Sequence, residues 1–218
     1  MRFITINTAS EFICFLAALI FLFKDKEPAW KLFIPYLLIT CIVETTGIYL
    51  HSVVHKANYI LYNVFLLFEC GIISHMFFYL YKIRRYKTTV LLIWPVVFIL
   101  MYVSELVLTK FKGFVSTTAA IMSVVFVLAC LNYYYIKLKE EASESLALSA
   151  PFWWVSGALF FYFGSTTCNV FFNFLSHSQI TISGYSIRYL IFNLLDIILY
   201  LFWSYAFLCR YLQRKSFT

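Results

Sequence analysis

The chain is poor in charge. Of its 218 residues, 12% are Asp, Glu, Lys or Arg, about half the share of a soluble domain, so there is too little polar surface to cover a globule in water. Proline and glycine are scarce, with four and six copies, which excludes collagen-like and low-complexity organisation. No Asn-x-Ser/Thr sequon occurs, which favours a bacterial membrane over a glycosylated cell surface. The six cysteines, Cys14, Cys41, Cys70, Cys130, Cys168 and Cys209, lie inside apolar runs without C-x-x-C spacing or nearby His. They read as small core residues, not as a disulfide or metal framework.

What is present instead is apolar surface. Hydrophobic residues make up 63% of the chain, aromatics 22%, and the mean hydropathy is +0.84. Such a composition must face lipid as well as itself, which predicts an integral membrane protein whose first partner is the lipid bilayer. A formal charge of +7 would suggest nucleic acid in a soluble protein. Here the basic residues form short clusters between apolar runs, the pattern that governs membrane insertion, so no nucleic-acid partner is expected.

A spanning helix needs about 20 mostly apolar residues. Seven stretches qualify: Phe3 to Phe23, Leu32 to Val54, Tyr59 to Tyr81, Thr88 to Leu108, Phe114 to Ile136, Pro151 to Leu175, and Tyr189 to Cys209. The expected fold is all-α, a polytopic membrane helix bundle with seven transmembrane helices forming one domain over 1–218. The first run is closed by Lys24-Asp25-Lys26 without a small-residue cleavage site, so it is expected to stay as a signal anchor. No internal repeat is visible.

The basic residues set the orientation. Lys24, Lys26, Lys31, Lys82, Arg84, Arg85, Lys87, Lys137, Lys139, Arg210, Arg214 and Lys215 fall on one side; Arg2, Lys56, Lys110, Lys112 and Arg188 fall on the other. The positive-inside rule then puts the C-terminus in the cytoplasm and the N-terminus outside. Tyr79, Tyr81, Tyr133 to Tyr135, Trp153 and Trp154 cluster near span ends and read as headgroup anchors. Glu140 to Glu144 reads as a solvated cytoplasmic loop.

No Lys or Arg lies inside any run, yet five acids do: Glu11, Glu44, Glu69, Glu105 and Asp196. A mid-span carboxylate costs about 2.5–3.5 kcal/mol on insertion scales and is usually turned toward protein or a wet cavity. Without a basic partner each must be protonated, bonded to neutral donors, or available to a cation. In the second run Thr40, Glu44, Gly47 and His51 follow one helical stripe, which His55 extends. In the seventh, Tyr189, Asn193, Asp196, Tyr200 and Trp203 do the same. The third offers Tyr62, Asn63, Glu69 and Cys70; the sixth offers Tyr162, Ser165, Asn169 and Asn173.

Most of these polar groups fall at the middle or in the outer half of their spans. They predict a polar cavity among spans two, three, six and seven that opens outward, with Glu44, His51, Tyr62, Asn63, Glu69, Asn169, Asn193 and Asp196 as its ligand-binding residues. The competing reading is that the same groups hydrogen-bond helix to helix, worth under about 2 kcal/mol per contact. Glu11 and Glu105 lie near the outer interface and are expected to be solvated. His51 and His55 lack a third ligand, so no metal and no cofactor is expected. His75 reads as a packing residue. A retinal Schiff base is excluded, because the last span carries no Lys.

Pro151-Phe152-Trp153 with Gly157, Tyr162 and Gly164, the stretch Asn58 to Glu69, and the run Asn193 to Arg210 resemble a family of small multi-span membrane proteins of Bacteroidota. The resemblance implies a bacterial inner (cytoplasmic) membrane. Its members are similar in layout to the membrane sensor regions of histidine kinases. Because no output domain follows Arg210, signalling is expected to pass through a separate membrane or cytoplasmic partner.

Three functions are then open. The first is a sensor or accessory protein whose cavity takes a small ligand or lipid. The second is a proton- or cation-coupled transporter using Glu44, Glu69 and Asp196. The third is a lipid-modifying enzyme with two carboxylates as acid and base; no catalytic residue can be named for it, because no nucleophile elbow or Ser/His/Asp order is present.

Overall fold

A computed structural model describes residues 5–84, 86, 88–139, 146–170, 181–182 and 185–216. Among them the order is α1 (Ile6–Leu22), α2 (Pro28–Lys31), α3 (Phe33–Ser52), α4 (Tyr59–Ile83), α5 (Thr89–Leu108), α6 (Ser116–Lys139), a 3-10 turn (Leu146–Leu148), α7 (Ala150–Val170), β1 (Thr181–Ile182), β2 (Tyr185–Ser186) and α8 (Ile187–Ser216). The strands form a two-residue antiparallel ladder, Thr181 opposite Ser186. Each of the seven apolar runs corresponds to one long helix.

Among the described residues five segments are long and apolar enough to cross a membrane: Pro28–Leu50, Tyr59–Ile83, Thr89–Leu108, Ser116–Lys139 and Leu190–Lys215. α1 is apolar but has only 17 residues. α7 has the length, but Ser156, Ser165, Thr166, Thr167 and Asn169 dilute its apolar content. Several helices also overrun their apolar runs at basic ends, α6 to Lys139 and α8 to Ser216, because a helix need not stop where the hydrocarbon does.

The chain divides into two compact units, Met1–Met122 and Ser123–Thr218. In the first, Thr5 opens α1 with a reciprocal capping box: its hydroxyl accepts from Thr8 N at 3.2 Å and Thr8 Oγ1 accepts from Thr5 N at 2.8 Å. Glu11, Cys14, Ala18 and Leu22 recur every three or four residues and are buried, and α1 packs along α3. Asp25 Oδ1 accepts from Glu27 N at 2.9 Å. Pro28 then starts α2 where no backbone donor is needed. Tyr36 stacks on Phe65 of α4 with centroids 5.9 Å apart.

On α5, Trp94, Phe98 and Tyr102 form a buried aromatic ladder at four-residue spacing, with centroids 5.9 and 6.0 Å apart. The turn after α5 places Lys110 and Phe111 in the left-handed region (φ 50° and 59°), which costs a non-glycine residue about 1–3 kcal/mol.

In the second unit α7 packs closely on α8. A Cβ on Gly157 would lie 2.9 Å from Phe202 Cβ and 3.3 Å from the Leu199 carbonyl, so the missing side chain is what lets the two backbones meet. Trp154 and Trp203 stack at 5.8 Å with planes 9° apart, and Trp203 Nε1 donates to Trp154 O at 3.2 Å. Such a pair is worth about 0.5–1.5 kcal/mol beyond its buried area. The headgroup-anchor reading is therefore wrong for Trp154, and equally for the buried Tyr81 and Tyr133: these rings fill helix contacts. The cysteines are free, five buried and Cys41 half-buried.

Candidate functional site

Within the first unit α3 and α4 bring two expected site residues together. The Tyr62 hydroxyl donates to Glu44 Oε2 at 3.2 Å. The ring reaches the carboxylate over Gly47, where a Cβ would sit 2.6 Å from the Tyr62 oxygen. Thus the Glu44–Gly47 spacing supplies both the acceptor and the gap. Both side chains are half-buried, and Glu44 lies eight residues from the end of α3 at Ser52, about 12 Å along the axis. Among the described residues this is the one hydrogen bond to the Glu44 carboxylate, whose other oxygen can take a proton, a cation or a ligand donor.

The stripe on α3 also extends the other way. Tyr36 and Thr40 precede Glu44 by eight and four residues and are buried. The Tyr36 hydroxyl meets the Thr40 side chain and lies within electrostatic reach of Glu69 on α4 and Glu11 on α1. Glu11 is 2% exposed, which overturns its expected solvation: α1 lays that face on α3. The signal for Tyr36 was the four-residue spacing to Thr40. Glu69 is half-buried.

Asn63 has a different task. Its Nδ2 donates to Gly113 O at 3.0 Å, its Oδ1 accepts from Val115 N at 3.1 Å, and Tyr102 OH donates to its carbonyl at 3.1 Å. It ties α4 to the turn before α6. Glu105 is also more than a solvated acid. Its Oε1 accepts from Thr117 N at 2.9 Å, and its Oε2 from Thr118 N at 2.7 Å and Thr118 Oγ1 at 2.6 Å. The carboxylate so caps α6, where orphan backbone donors favour negative charge.

The histidine line is shorter than expected. α3 ends at Ser52, so His55 lies beyond the helix, exposed, with a left-handed φ of 53°. His75 is exposed rather than packed. The side chains of His51 and Asn169, and the whole of Asn173, lie outside the described residues. In the second unit Asn193 and Asp196 are half-buried on α8, one and two turns before the buried Tyr200 and Trp203.

At the opposite end of α7 and α8, the Ala147 carbonyl accepts from Trp153 Nε1 at 2.9 Å and Tyr205 OH at 3.3 Å. Gln213 Nε2 donates to Leu148 O at 2.9 Å. With the polar ends of Trp153 and Tyr205 so engaged, the shallow groove they share with Leu201 and Phe202 is almost wholly apolar. Among the described residues no group of three His, Cys, Asp or Glu side chains could hold a metal ion. The chain matches no protein-family model, no curated protein and no solved structure.

Proposed function

We propose that the chain is a seven-span sensor or accessory protein of a bacterial inner membrane, with its N-terminus outside and its C-terminus in the cytoplasm. Glu44 and Tyr62 form the core of an outward-opening polar site for a small ligand or lipid headgroup. The basic cytoplasmic loops pass the occupied state to a separate partner. The observation that carries this reading is the half-buried Glu44 carboxylate, which accepts from the neutral Tyr62 hydroxyl in a chain whose apolar runs contain no Lys or Arg. Unneutralised, it is an acceptor for a donor-bearing or cationic group. Crosslinking in native membranes, followed by mass spectrometry, should recover one specific partner whose yield changes in Glu44→Gln. A yield independent of residue 44, or no partner at all, overturns the proposal.

A proton- or cation-coupled carrier is the second reading. It is favoured by Glu11 and Glu69, two span carboxylates that are buried and half-buried within the first unit. Proteoliposomes with an internal pH dye should then show proton flux that Glu69→Gln abolishes, and flux equal to empty vesicles removes this reading.

A further inference from the structure

The outward side of α4 is one continuous stripe. Ile60, Val64, Phe68, Gly71 and His75 are spaced by four, four, three and four residues, and all are exposed. The opposite face, including Asn63, Leu66, Cys70, Ile73 and Phe77, is buried. A stripe of Ile, Val and Phe would suit lipid. Two of its members do not.

His75 lies six residues before Tyr81, where the apolar run ends, about 9 Å along the axis, farther than its short side chain reaches. Ionisable residues at such depths nearly always face protein or a water-filled cavity. One turn away, Gly71 has no atom within 4 Å of where a Cβ would stand, so backbone is laid open beside the imidazole. A glycine at which helices approach closely, next to a polar side chain that hydrogen-bonds across them, is the usual make-up of a helix contact in lipid.

We propose that this face joins two copies of the chain in parallel about a twofold axis along the membrane normal. Gly71 lies at the crossing, and His75 of one copy is hydrogen-bonded to His75 of the other. Two arguments select a second copy over a foreign helix. Copies inserted with one topology carry His75 at one depth, and a twofold axis sets each position opposite itself. A neutral imidazole also has one donor and one acceptor nitrogen, so it is complementary to itself. A foreign helix would need its own polar group at that depth.

The test is single-molecule photobleaching of the full-length protein in vesicles over a 100-fold dilution in lipid. Wild type should show two-step bleaching that falls with dilution. His75→Leu should weaken association about three- to tenfold, the range of an interhelical hydrogen bond in a bilayer. Gly71→Leu should abolish it, and His75→Asn, which keeps a donor and an acceptor, should restore it. Both positions are open, and unchanged melting of each variant in a detergent that keeps the wild type monomeric checks the fold. Should a variant not fold, oxidation of His75→Cys in native membranes decides: it should yield a disulfide-linked dimer that Leu100→Cys on α5 does not. A monomeric wild type, association unaffected by Gly71→Leu, or crosslinking of residue 75 only to another protein each overturns the proposal.

Discussion

Replacing Asn63 with leucine separates a structural tie from a ligand contact. Asn63 is 5% exposed and its amide serves two backbone groups of the turn before α6, Gly113 O and Val115 N. Leucine is close in size, so the main loss is of hydrogen bonds rather than volume. A buried polar group left without its partner costs about 1–3 kcal/mol. Val115 is fully buried, so its N–H has no route to water and belongs near the top of that range. Gly113 is half-exposed, so its carbonyl can be rehydrated and belongs near the bottom.

The expected loss is therefore about 4 kcal/mol, in a turn that already holds Lys110 and Phe111 in the left-handed region. Equilibrium unfolding in bicelles measures it, and hydrogen exchange at Val115 to Thr118 should speed up together. Asn63→Asp keeps the acceptor for Val115 but buries a carboxylate whose second oxygen faces the Gly113 carbonyl, so it should cost at least as much. Unfolding of Asn63→Leu within about 0.5 kcal/mol of wild type, the usual span of a neutral surface change, would refute the tie. If ligand binding fell at the same time, Asn63 would return to the binding residues that the sequence predicts.

Glu105→Gln keeps one good acceptor and turns an amide N–H₂ toward donors, so it should destabilise α6 by about 1–2 kcal/mol, with faster exchange at Thr117 and Thr118. Gly157→Ala should cost about 1–3 kcal/mol, because its Cβ meets Phe202 Cβ and a carbonyl; Gly71→Ala, with open space, should be neutral or stabilising in a monomeric detergent preparation. Gly47→Ala should push Tyr62 off Glu44 and abolish any ligand response, while Tyr62→Phe abolishes the response without the steric cost. Glu44→Gln should melt higher than wild type in nanodiscs above neutral pH, since it removes a charge from the span and keeps an acceptor for Tyr62; a lower melting temperature at every pH would show the carboxylate to be structural glue.

The helices were legible because apolar runs of twenty residues admit little else in lipid. Tyr59 begins a helix and Leu108 ends one where the runs do. The α3 stripe was legible from spacing alone as far as Glu44 and Gly47. Its meeting with Tyr62 was not, because the register of two antiparallel helices depends on how residues 53–58 turn between them. The tasks of Asn63 and Glu105 were hidden for the same reason. The partners of Asn63 lie in the α5–α6 turn and those of Glu105 in the first turn of α6, both placed by a turn whose course rests on two non-glycine residues at positive φ that nothing in their types announces. His75 failed differently: spacing shows that it shares a face with Gly71, but not whether that face looks in or out.

Glycine links the close packing of this chain to its polar chemistry. Lipid supplies no hydrophobic drive between helices, so contacts rest on close approach and on hydrogen bonds. At Gly157 the missing Cβ admits backbone and Phe202, and the contact is purely structural. At Gly47 it admits a phenol aimed at a carboxylate. If the only task there were to hold α3 to α4, a threonine or glutamine opposite Tyr62 would do it without the roughly 2.5–3.5 kcal/mol that a mid-span charge costs. A carboxylate adds what neither can, a negative charge that stays unmet when the phenol has given its one proton. On the proposed function, that excess is what a cation or a donor-rich ligand would meet.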